Sequence, residues 1–309
     1  MGLFSKPEVV VLRESTAMKD YLAKIEALYQ DAPAAVKPAL EKEIAITKAG
    51  IVGEENILYE LKNSGMDMVV LHDIVMENGE QSAQIDFFVI TEKLYFILEC
   101  KNLIGDIEIN RNGDFIRSFR VGGRTIKEGI YSPITQNQRH LTVLKSRLLE
   151  NNKRIVKAGV NLFFDNWYKS LVVLANPKTV LNDRYAGKEI REQVIRADRL
   201  TVTIKKMLSD SKEAKISKKG MLQFGERMLE VNVEKDTFAE KYQKLLAMTE
   251  EAKNAEPNQP TEITRQADTT VCPRCGGKLI LRIAKSGGYE GNRFYGCSNY
   301  PRCRFIRNL

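Results

Sequence analysis

Two apolar runs separated by a short polar break constrain the fold of this chain most strongly. They lie in residues 84–102, QIDFFVITEKLYFILECKN, on either side of residues 91–93. Runs of this length and composition predict two antiparallel strands joined by a tight turn. With the turn centred on residues 92 and 93, Asp86 faces Glu99. A four-residue loop about the same centre keeps this pairing, whereas a three-residue loop shifts it.

Alternation along the two strands separates polar from apolar side chains. One face is predicted to carry Gln84, Asp86, Glu99 and Lys101, and the other Phe96, Leu98 and Cys100. Two facing carboxylates between apolar strands repel and lose solvation unless a cation lies between them. Oxygen ligands suit Mg²⁺ or Mn²⁺, which activate a bound water and stabilise charge on a phosphate. Lys101 is then placed to orient or deprotonate that water, or to neutralise the phosphate.

A family resemblance enters through these residues. Asp86 followed by Glu99-Cys100-Lys101 resembles the PD-(D/E)xK nuclease signature, and GIVGEENILYEL at residues 50–61 and SPITQNQRHL at residues 132–141 lie around it. This order and spacing is similar to the nuclease-related domain called NERD. The resemblance implies an α/β fold with a restriction-endonuclease-like mixed sheet flanked by helices. It also implies metal-dependent hydrolysis of phosphodiester bonds.

Two further candidate catalytic residues lie on predicted helices. Glu54 shares a helical stripe with apolar side chains, whereas Glu55 is expected to face solvent. The family has a Gly-Glu pair here, which implies an acid near the metal; the alternative is a buried partner for a lysine or a backbone amide. By resemblance Gln136 is the family's helical glutamine, an amide suited to holding a water or a phosphate oxygen. His140 is interpreted as a hydrogen-bonded structural histidine, with DNA contact or proton transfer as the alternative.

The remaining segments suggest five regions. An N-terminal helical hairpin spans residues 1–45, with Ser15 as its predicted N-cap, and is expected to pack on the domain or to pair two copies as a homodimer. The NERD-like domain spans 46–208, with Met68–Met76, residues 169–175 and residues 193–197 as strands and two short strands within 105–126 beside the active face. His72 and Asp73 are interpreted as ordinary strand residues, with a role as ligands as the alternative. A helical extension covers 209–248, and 249–270 is polar enough to be a flexible linker.

Four cysteines near the C-terminus predict a metal site. Cys272 and Cys275 form one pair, and Cys297 and Cys303 form another. Four thiolates from two turns suffice for one closed tetrahedral Zn²⁺ site, which would supply much of the folding free energy of residues 271–309. The alternative is four free buried thiols. The strings CPRCGGKLILR and FYGCSNYPRC resemble the C4 zinc fingers of type IA DNA topoisomerases.

The same module is basic and aromatic. The predicted nucleic-acid contacts are Arg274, Lys278, Arg282, Arg293, Tyr295, Tyr300, Arg302 and Arg304. Lys285, Arg307, Tyr289, Phe294 and Phe305 lie among them. Basic groups attract phosphate and exposed rings stack on bases of single-stranded DNA, although some of these rings must cover the small core.

Composition limits the alternatives. The net charge is +8, and residues 271–309 hold eight basic side chains against one acidic, so the first 270 residues are nearly neutral. No apolar run approaches the length of a membrane span and no signal-peptide pattern begins the chain, which favours the cytoplasm. The leading hypothesis is therefore a metal-dependent DNA nuclease with a zinc-finger tail that prefers single-stranded character. The alternatives are a non-catalytic DNA-binding or scaffolding protein that retains the fold, and an RNA-directed nuclease.

Overall fold

The structure is a computed structural model that describes residues 7–79, 81–150, 154–255, 271–284 and 293–308. The chain divides into two compact units, Met1–Ala255 and Glu256–Leu309. The larger unit holds the predicted carboxylate site, and the smaller one holds the four cysteines. Each unit is described by itself below.

The larger unit contains ten strands and eight helices within its described residues. The strands are β1 (Val9–Arg13), β2 (Met68–Asn78), β3 (Gln81–Ile90), β4 (Tyr95–Lys101), β5 (Asp106–Ile109), β6 (Phe115–Val121), β7 (Arg124–Ile130), β8 (Tyr168–Leu174), β9 (Leu181–Asn182) and β10 (Val194–Arg196). The helices are α1 (Ala17–Gln30), α2 (Lys37–Lys62), α3 (Pro133–Glu150), α4 (Arg154–Trp167), α5 (Lys188–Gln193), α6 (Leu200–Asp210), α7 (Lys218–Glu230) and α8 (Ala239–Ala255). A short 3₁₀ helix spans Ala197–Arg199.

A six-stranded mixed sheet forms the centre of this unit, in the order β1-β2-β3-β4-β8-β10. β2, β3 and β4 are antiparallel neighbours, while β1, β8 and β10 each lie parallel to their neighbour. The β3–β4 pairing runs from Ile90–Tyr95 to Phe87–Leu98. This is the register predicted from the turn centre. The mixed sheet flanked by helices confirms the predicted fold class.

Apolar clusters cover both faces of the sheet. One face packs α3, α4 and α7 against side chains such as Phe88 and Ile97, and the other packs α2 and α6 against Phe87 and Leu98. Each cluster buries more than a dozen side chains, and burial of apolar surface at about 25 cal/mol per Å² is the main stabilising contribution. The end of β4 is thereby fixed between two helical layers.

An irregularity in β2 and β3 corrects one predicted position. Pairing skips Asp73 and Asp86, between the pairs His72–Phe87 and Ile74–Ile85, and Asp73 has a left-handed φ of 59°. The face that each strand presents reverses there. Ile85 joins the same apolar cluster as Phe88, although residues three positions apart on a regular strand point to opposite faces. Gln84 therefore does not share a face with Glu99, contrary to the prediction. Its amide donates instead to Asp73 Oδ1 at 2.8 Å.

Residues after β4 form a second sheet, in the order β7-β6-β5-β9. The prediction of two short strands within 105–126 was wrong in number and in placement, since three strands form there and belong to this separate sheet. Gly122 and Gly123 have left-handed φ values of 56° and 79°, which glycine adopts without strain. These two residues form the tight turn that joins β6 to β7. The apolar side chains of β5 and of the start of β6 pack with β8 and α3 in a third apolar cluster.

Several boundaries differ from the prediction. The first helix begins at Ala17 with Thr16 at its N-cap, while the Ser15 hydroxyl accepts from the Ala17 amide and donates to Asp73. The second predicted helix and residues 50–61 form one continuous α2. β1 and α4 had not been predicted. Helix α8 extends to Ala255, so the start of the predicted 249–270 linker is helical, and its residues 256–270 lie outside the described residues.

The N-terminal helices pack within the chain. Val36 and Leu40 contact Leu245 and Met248 of α8 in one apolar cluster. This agrees with the packing alternative, and pairing of two copies stays a prediction. α7 is part of the main core, because Met221 and Met228 lie in the first apolar cluster. No helix among the described residues combines the length and apolarity needed to span a bilayer. A cytoplasmic location stays a prediction.

The described residues of the smaller unit form a three-stranded antiparallel sheet. Its strands are β11 (Leu279–Ile283), β12 (Arg293–Cys297) and β13 (Ile306–Asn308), with β12 in the centre. Its core consists of Leu279 and three of the four cysteines, with Tyr295 and Phe305 packed against them. Such a small apolar core needs additional stabilisation.

Candidate active site and zinc centre

The predicted catalytic residues meet where β3 and β4 separate. Main-chain pairing of these strands ends at Phe87–Leu98, whereas β4 continues beside β8 as far as Lys101–Leu174. Asp86 closes the gap, because its Oδ2 accepts a hydrogen bond from the Cys100 backbone N–H at 2.7 Å. The carboxylate thus replaces a main-chain partner at the end of the ladder.

Glu99, Lys101 and Gln136 are linked directly. Lys101 Nζ lies 2.6 Å from Glu99 Oε1 and donates to Gln136 Oε1 at 3.1 Å. Glu99 is only 1% exposed, and its Oε2 has no hydrogen-bond partner within the described part of the chain. A buried carboxylate oxygen without a donor is costly, so this oxygen retains the capacity to accept a ligand.

Gln136 is positioned by the anchoring of α3. Fully buried Asn137 donates to the Ile97 carbonyl oxygen at 3.0 Å and to the Ser170 hydroxyl at 2.9 Å. These bonds tie α3 to β4 and β8. The sequence does not predict this role of Asn137, because an asparagine within an amphipathic helix gives no signal of its long-range partners.

Burial raises the pKa values of two carboxylates at this site. Burial, followed by the charges of Glu99 and Glu54, raises the pKa of Asp86 well above its usual range. Burial also raises the pKa of Glu99, although Lys101 opposes that shift. Burial and the nearby carboxylates raise the pKa of the Cys100 thiol, which is therefore neutral. Anionic oxygens crowded into a low-dielectric site favour a cation.

Helix α2 brings Glu54 to this site. A Cβ at Gly53 would lie 2.6 Å from Asn102 Cβ and 3.0 Å from Cys100 Sγ, so only glycine permits this approach of the helix to the end of β4. Asn102 donates to the Ala49 carbonyl oxygen at 2.6 Å and fixes the contact. Glu55, which had been predicted to face solvent, is 56% exposed and pairs with Lys19.

His72 lies in strand β2, as predicted, and its ring contacts Glu54. The Ser15 backbone N–H donates to His72 Nδ1 at 3.2 Å, and His72 Nε2 lies 3.0 Å from Glu54 Oε2. Because Nδ1 accepts, the proton of a neutral imidazole lies on Nε2 and is donated to Glu54. Asp73 likewise lies in β2, where it accepts hydrogen bonds from Ser15 and Gln84 in a left-handed conformation.

His140 lies beside Glu99 without a hydrogen bond to it. Its Nδ1 is 3.7 Å from Glu99 Oε2, and neither atom has a hydrogen-bond partner within the described residues. Burial, and secondarily the charge of Lys101, lowers the pKa of His140 to about 4. The ring is therefore neutral at pH 7. His140 is buried, as expected of a structural histidine, but its Nδ1 lacks the predicted hydrogen bond within the described residues.

The donor set fits a hard divalent cation in chemistry, although the carboxylates are not drawn together. The fit rests on the unpartnered Glu99 Oε2 and on the raised pKa of Asp86. Among the described residues, only the four cysteines bring three or more His, Cys, Asp or Glu ligand atoms within 4.8 Å of one another. The oxygens of Glu54, Asp86 and Glu99 are spread more widely than that.

The four cysteine sulfurs form a preassembled cluster. Cys272 Sγ and Cys303 Sγ are 3.8 Å apart, and Cys275 Sγ and Cys297 Sγ are 3.3 Å apart. A tetrahedron with Zn–S bonds of about 2.3 Å has sulfur–sulfur edges of about 3.8 Å. The cluster therefore has the size and ligand type of a Zn²⁺ centre, as predicted, and the fifth cysteine, Cys100, lies elsewhere in the chain.

The structure divides the aromatic residues of the smaller unit by role. Tyr295 and Phe305 cover the cysteine core, whereas Tyr300 is 61% exposed. The predicted basic contacts are exposed, and they are Arg274, Lys278, Arg282, Arg293, Arg302 and Arg304. The Arg307 guanidinium lies 5.1 Å from the Tyr295 ring centroid. Lys285 and Tyr289 lie outside the described residues.

Family models match segments of both units of the chain. The model of the nuclease-related domain, NERD, matches residues 49–175, which include every predicted catalytic residue. The chain carries a NERD domain. The model of the topoisomerase DNA-binding C4 zinc finger matches residues 269–309. The structure adds β1, β10, α6 and α7 around the matched NERD segment.

Individual relatives match over short stretches. DNA topoisomerase 1 of Methanocaldococcus jannaschii is 42% identical over 48 residues, which are 16% of this chain and 6% of that protein. DNA topoisomerase 1 of Archaeoglobus fulgidus is 56% identical over 38 residues, 12% of this chain and 5% of that protein. The uncharacterized protein YrdD of Escherichia coli is 45% identical over 38 residues, 12% of this chain and 18% of that protein. The chain thus spans a small part of each. No solved structure matches the chain.

Asp86→Asn is expected to stabilise the metal-free NERD domain. A folded-state pKa above the unfolded value means that stability falls as pH rises through the interval between the two values. The amide side chain of the Asp86→Asn variant does not titrate, so the variant avoids this loss of stability. Its melting temperature should exceed that of the wild type, and the difference should be larger at pH 8 than at pH 5. Each kcal/mol of stability difference corresponds to about 2–4 °C. Thermal unfolding at both pH values, with and without Mn²⁺, measures this. Mn²⁺ should raise the melting temperature of the wild type only; equal shifts in both proteins would contradict the interpretation.

His72→Ala is expected to slow the metal-dependent cleavage predicted for this domain by about tenfold, the lower end of the range for residues that orient metal ligands. The reason is that Glu54 loses the donor at 3.0 Å that fixes its carboxylate. His72→Gln restores a donor near that position and should recover most of the rate. Single-turnover cleavage across pH 6–9 separates this role from packing on Phe87, whose ring centroid lies 4.7 Å from that of His72. Equal loss in both variants would indicate packing alone.

Proposed function

We propose that this protein is a metal-dependent DNA nuclease of the PD-(D/E)xK type that hydrolyses phosphodiester bonds. One observation carries the proposal. Within a NERD domain, a buried glutamate keeps one carboxylate oxygen unpartnered while its other oxygen binds a lysine ammonium. A core without function would not retain a half-satisfied carboxylate, because its desolvation costs several kcal/mol.

Asp86 and Glu99 are the proposed ligands of Mg²⁺ or Mn²⁺. Both carboxylates lie at the end of β4, and the crowding that raises the pKa of Asp86 is relieved by a cation. Glu54, fixed by His72, is the third acid of the site. When bound, the ion supplies an activated water and stabilisation of charge on the phosphate.

Lys101 and Gln136 are proposed to position the attacking water and to bind the phosphate. The Lys101 side chain is 25% exposed, and its ammonium bridges Glu99 to Gln136. The ammonium therefore lies at the boundary between the buried carboxylate and solvent. From there it orients the attacking water or neutralises the scissile phosphate. The Gln136 amide offers a donor to a water or to a phosphate oxygen. His140, neutral at pH 7, contributes no charge.

The C4 zinc finger is proposed to hold DNA, preferably with single-stranded character. The finger presents exposed arginines and lysines for phosphates and the exposed Tyr300 for base stacking. Two of the relatives that match short stretches of the chain are named DNA topoisomerases. The finger alone also favours a second candidate function, DNA binding or scaffolding without turnover.

A substrate panel tests the proposed function. Labelled single-stranded DNA, duplex DNA, flap DNA and RNA are each incubated with the zinc-loaded full chain in Mg²⁺, in Mn²⁺ and without added divalent ion. We expect metal-dependent cleavage of DNA. Cleavage of RNA instead would assign the site to RNA, and tight DNA binding without any cleavage would favour the scaffold.

A further inference from the structure

We propose that the β6–β7 hairpin is a ribbon that inserts into the major groove of duplex DNA beside the active site. The proposal rests on the nuclease function proposed above and names a second substrate contact for it, separate from the zinc finger. Exposure, charge and place in the fold support it.

The outer half of the hairpin is exposed on both faces. Every residue of β7 from Arg124 to Gly129 is exposed, as are Arg120 and Val121 at the end of β6. The register pairs Arg120 with Thr125 and Val121 with Arg124. No other element described in this unit covers these positions, so this end of the hairpin projects from the sheet.

The hairpin carries local positive charge in a nearly neutral unit. Residues 115–130 contain four basic side chains and one acidic one. The acid, Glu128, pairs with Arg117 at 3.4 Å. The side chains of Arg120, Arg124 and Lys127 have no hydrogen bond or ion pair within the described residues, so three cations remain available for phosphates.

The dimensions of the ribbon match the groove. From the Arg117–Glu128 pair to the Val121–Arg124 pair is four residue steps, about 14 Å of strand. The major groove is about 12 Å wide and 8.5 Å deep and admits a two-stranded β-ribbon. Arg120 and Lys127 lie on one face of the ribbon and Arg124 on the other, which suits a groove with phosphates on both sides.

Arg117 braces the ribbon at its base. Its guanidinium lies 4.3 Å from the Phe119 ring centroid, in addition to its ion pair with Glu128. Stacking of this kind contributes roughly 0.5–1 kcal/mol at an exposed site. The ribbon therefore keeps a defined shape before DNA binds.

Both ends of the hairpin segment lead directly to active-site residues. β5 begins five residues after Lys101, and a Cβ added at Gly105 would collide with the Ser118 carbonyl oxygen, so the turn after β4 rests against β6. At the other end, Gln136 lies six residues after Ile130, in the first turn of α3. A duplex held by the ribbon thus lies next to Lys101 and Gln136.

Charge reversal at the three free cations tests the proposal. The variant Arg120→Glu/Arg124→Glu/Lys127→Glu is compared with Lys42→Glu/Lys205→Glu/Lys219→Glu, in which exposed lysines on α2, α6 and α7 give the same change in net charge. Both are made in zinc-loaded, full-length Glu99→Gln protein, so that binding is measured without turnover. For the hairpin variant we expect duplex affinity to fall at least tenfold, and the slope of log affinity against log salt to decrease by about 3, one per phosphate contact. The control should lose much less.

A photocrosslink gives a readout that does not depend on net charge. A benzophenone amino acid in place of Thr125 should crosslink to duplex DNA, while the same group in place of exposed Val202 on α6 should not. Equal affinity and slope in the two triple variants, or no crosslink from position 125, would overturn the proposal. So would a change of dimer to monomer on hairpin charge reversal, since it would make the β7 edge a contact between copies.

The two proposals fail separately. If the wild type cuts no nucleic acid but the hairpin variant loses duplex affinity, the ribbon stands and the nuclease function falls. If the wild type cuts DNA and the hairpin variant binds like its control, the nuclease stands and the ribbon falls. Unchanged thermal unfolding of the triple variants confirms that neither result comes from misfolding.

Discussion

Lys101→Met is expected to lower the single-turnover rate of DNA cleavage by about 10³-fold, within the range for a group that transfers or positions a proton. The ammonium that lies 2.6 Å from Glu99 Oε1 and 3.1 Å from Gln136 Oε1 is lost, whereas the methylene stem is kept. Mn²⁺ should still bind, because neither carboxylate is removed and Glu99 Oε1 loses a competing cation.

The contrast between rate and metal binding distinguishes this role from a structural one. Lys215→Met is the matched control, since Lys215 pairs with Glu92 at the far end of the β3–β4 hairpin, where it is 65% exposed. The control should cleave at the wild-type rate. A Lys101→Met protein that cleaves normally, or one that loses Mn²⁺ instead of rate, would refute the assigned role.

Cys297→Ala is expected to abolish zinc binding and to unfold residues 271–309. Cys297 is 1% exposed and supplies one of four sulfurs to a core that otherwise has Leu279 as its only fully apolar buried side chain among the described residues. Zinc contributes about 10–16 kcal/mol to the folding of such modules, far more than this core can replace. Single-stranded DNA affinity should fall along with the fold.

Zinc content by atomic absorption and amide dispersion by NMR measure the two losses. Cys100→Ala is the control, because Cys100 lies in the NERD domain and should leave one zinc per chain. Retention of zinc by Cys297→Ala, or a folded finger without zinc, would contradict the assignment of the cluster as a structural metal centre.

Local patterns were sufficient where the chemistry depends on neighbours in sequence. The β3–β4 register follows from two apolar runs about a short turn, and the zinc cluster follows from two cysteine pairs in a basic segment. Glu54 was singled out because a carboxylate interrupts an apolar helical stripe, and its catalytic role stays a prediction. In each case the period of a strand or helix carries the information.

Long-range contacts explain what the sequence did not disclose. His72 became significant only because β1 ends beside it and α2 crosses it, contacts with residues 57 and 18 positions away. The reversal at Asp73 and Asp86 requires a left-handed φ at Asp73, and no glycine in the sequence marks that position. Gly53, by contrast, is informative once the crossing of α2 over β4 is known, because a side chain there would collide with Asn102.

The most direct test of the central claim compares Glu99→Gln with Glu92→Gln in Mn²⁺ on the best-cleaved DNA. Both substitutions remove one negative charge from the β3–β4 hairpin, but Glu92 is 38% exposed at its side chain whereas Glu99 is 1% exposed beside Lys101. We predict that Glu99→Gln lowers the cleavage rate by at least about 10³-fold, while Glu92→Gln stays within about twofold of the wild type. Equal cleavage by the two variants would contradict the account, because the activity would then not depend on the buried carboxylate.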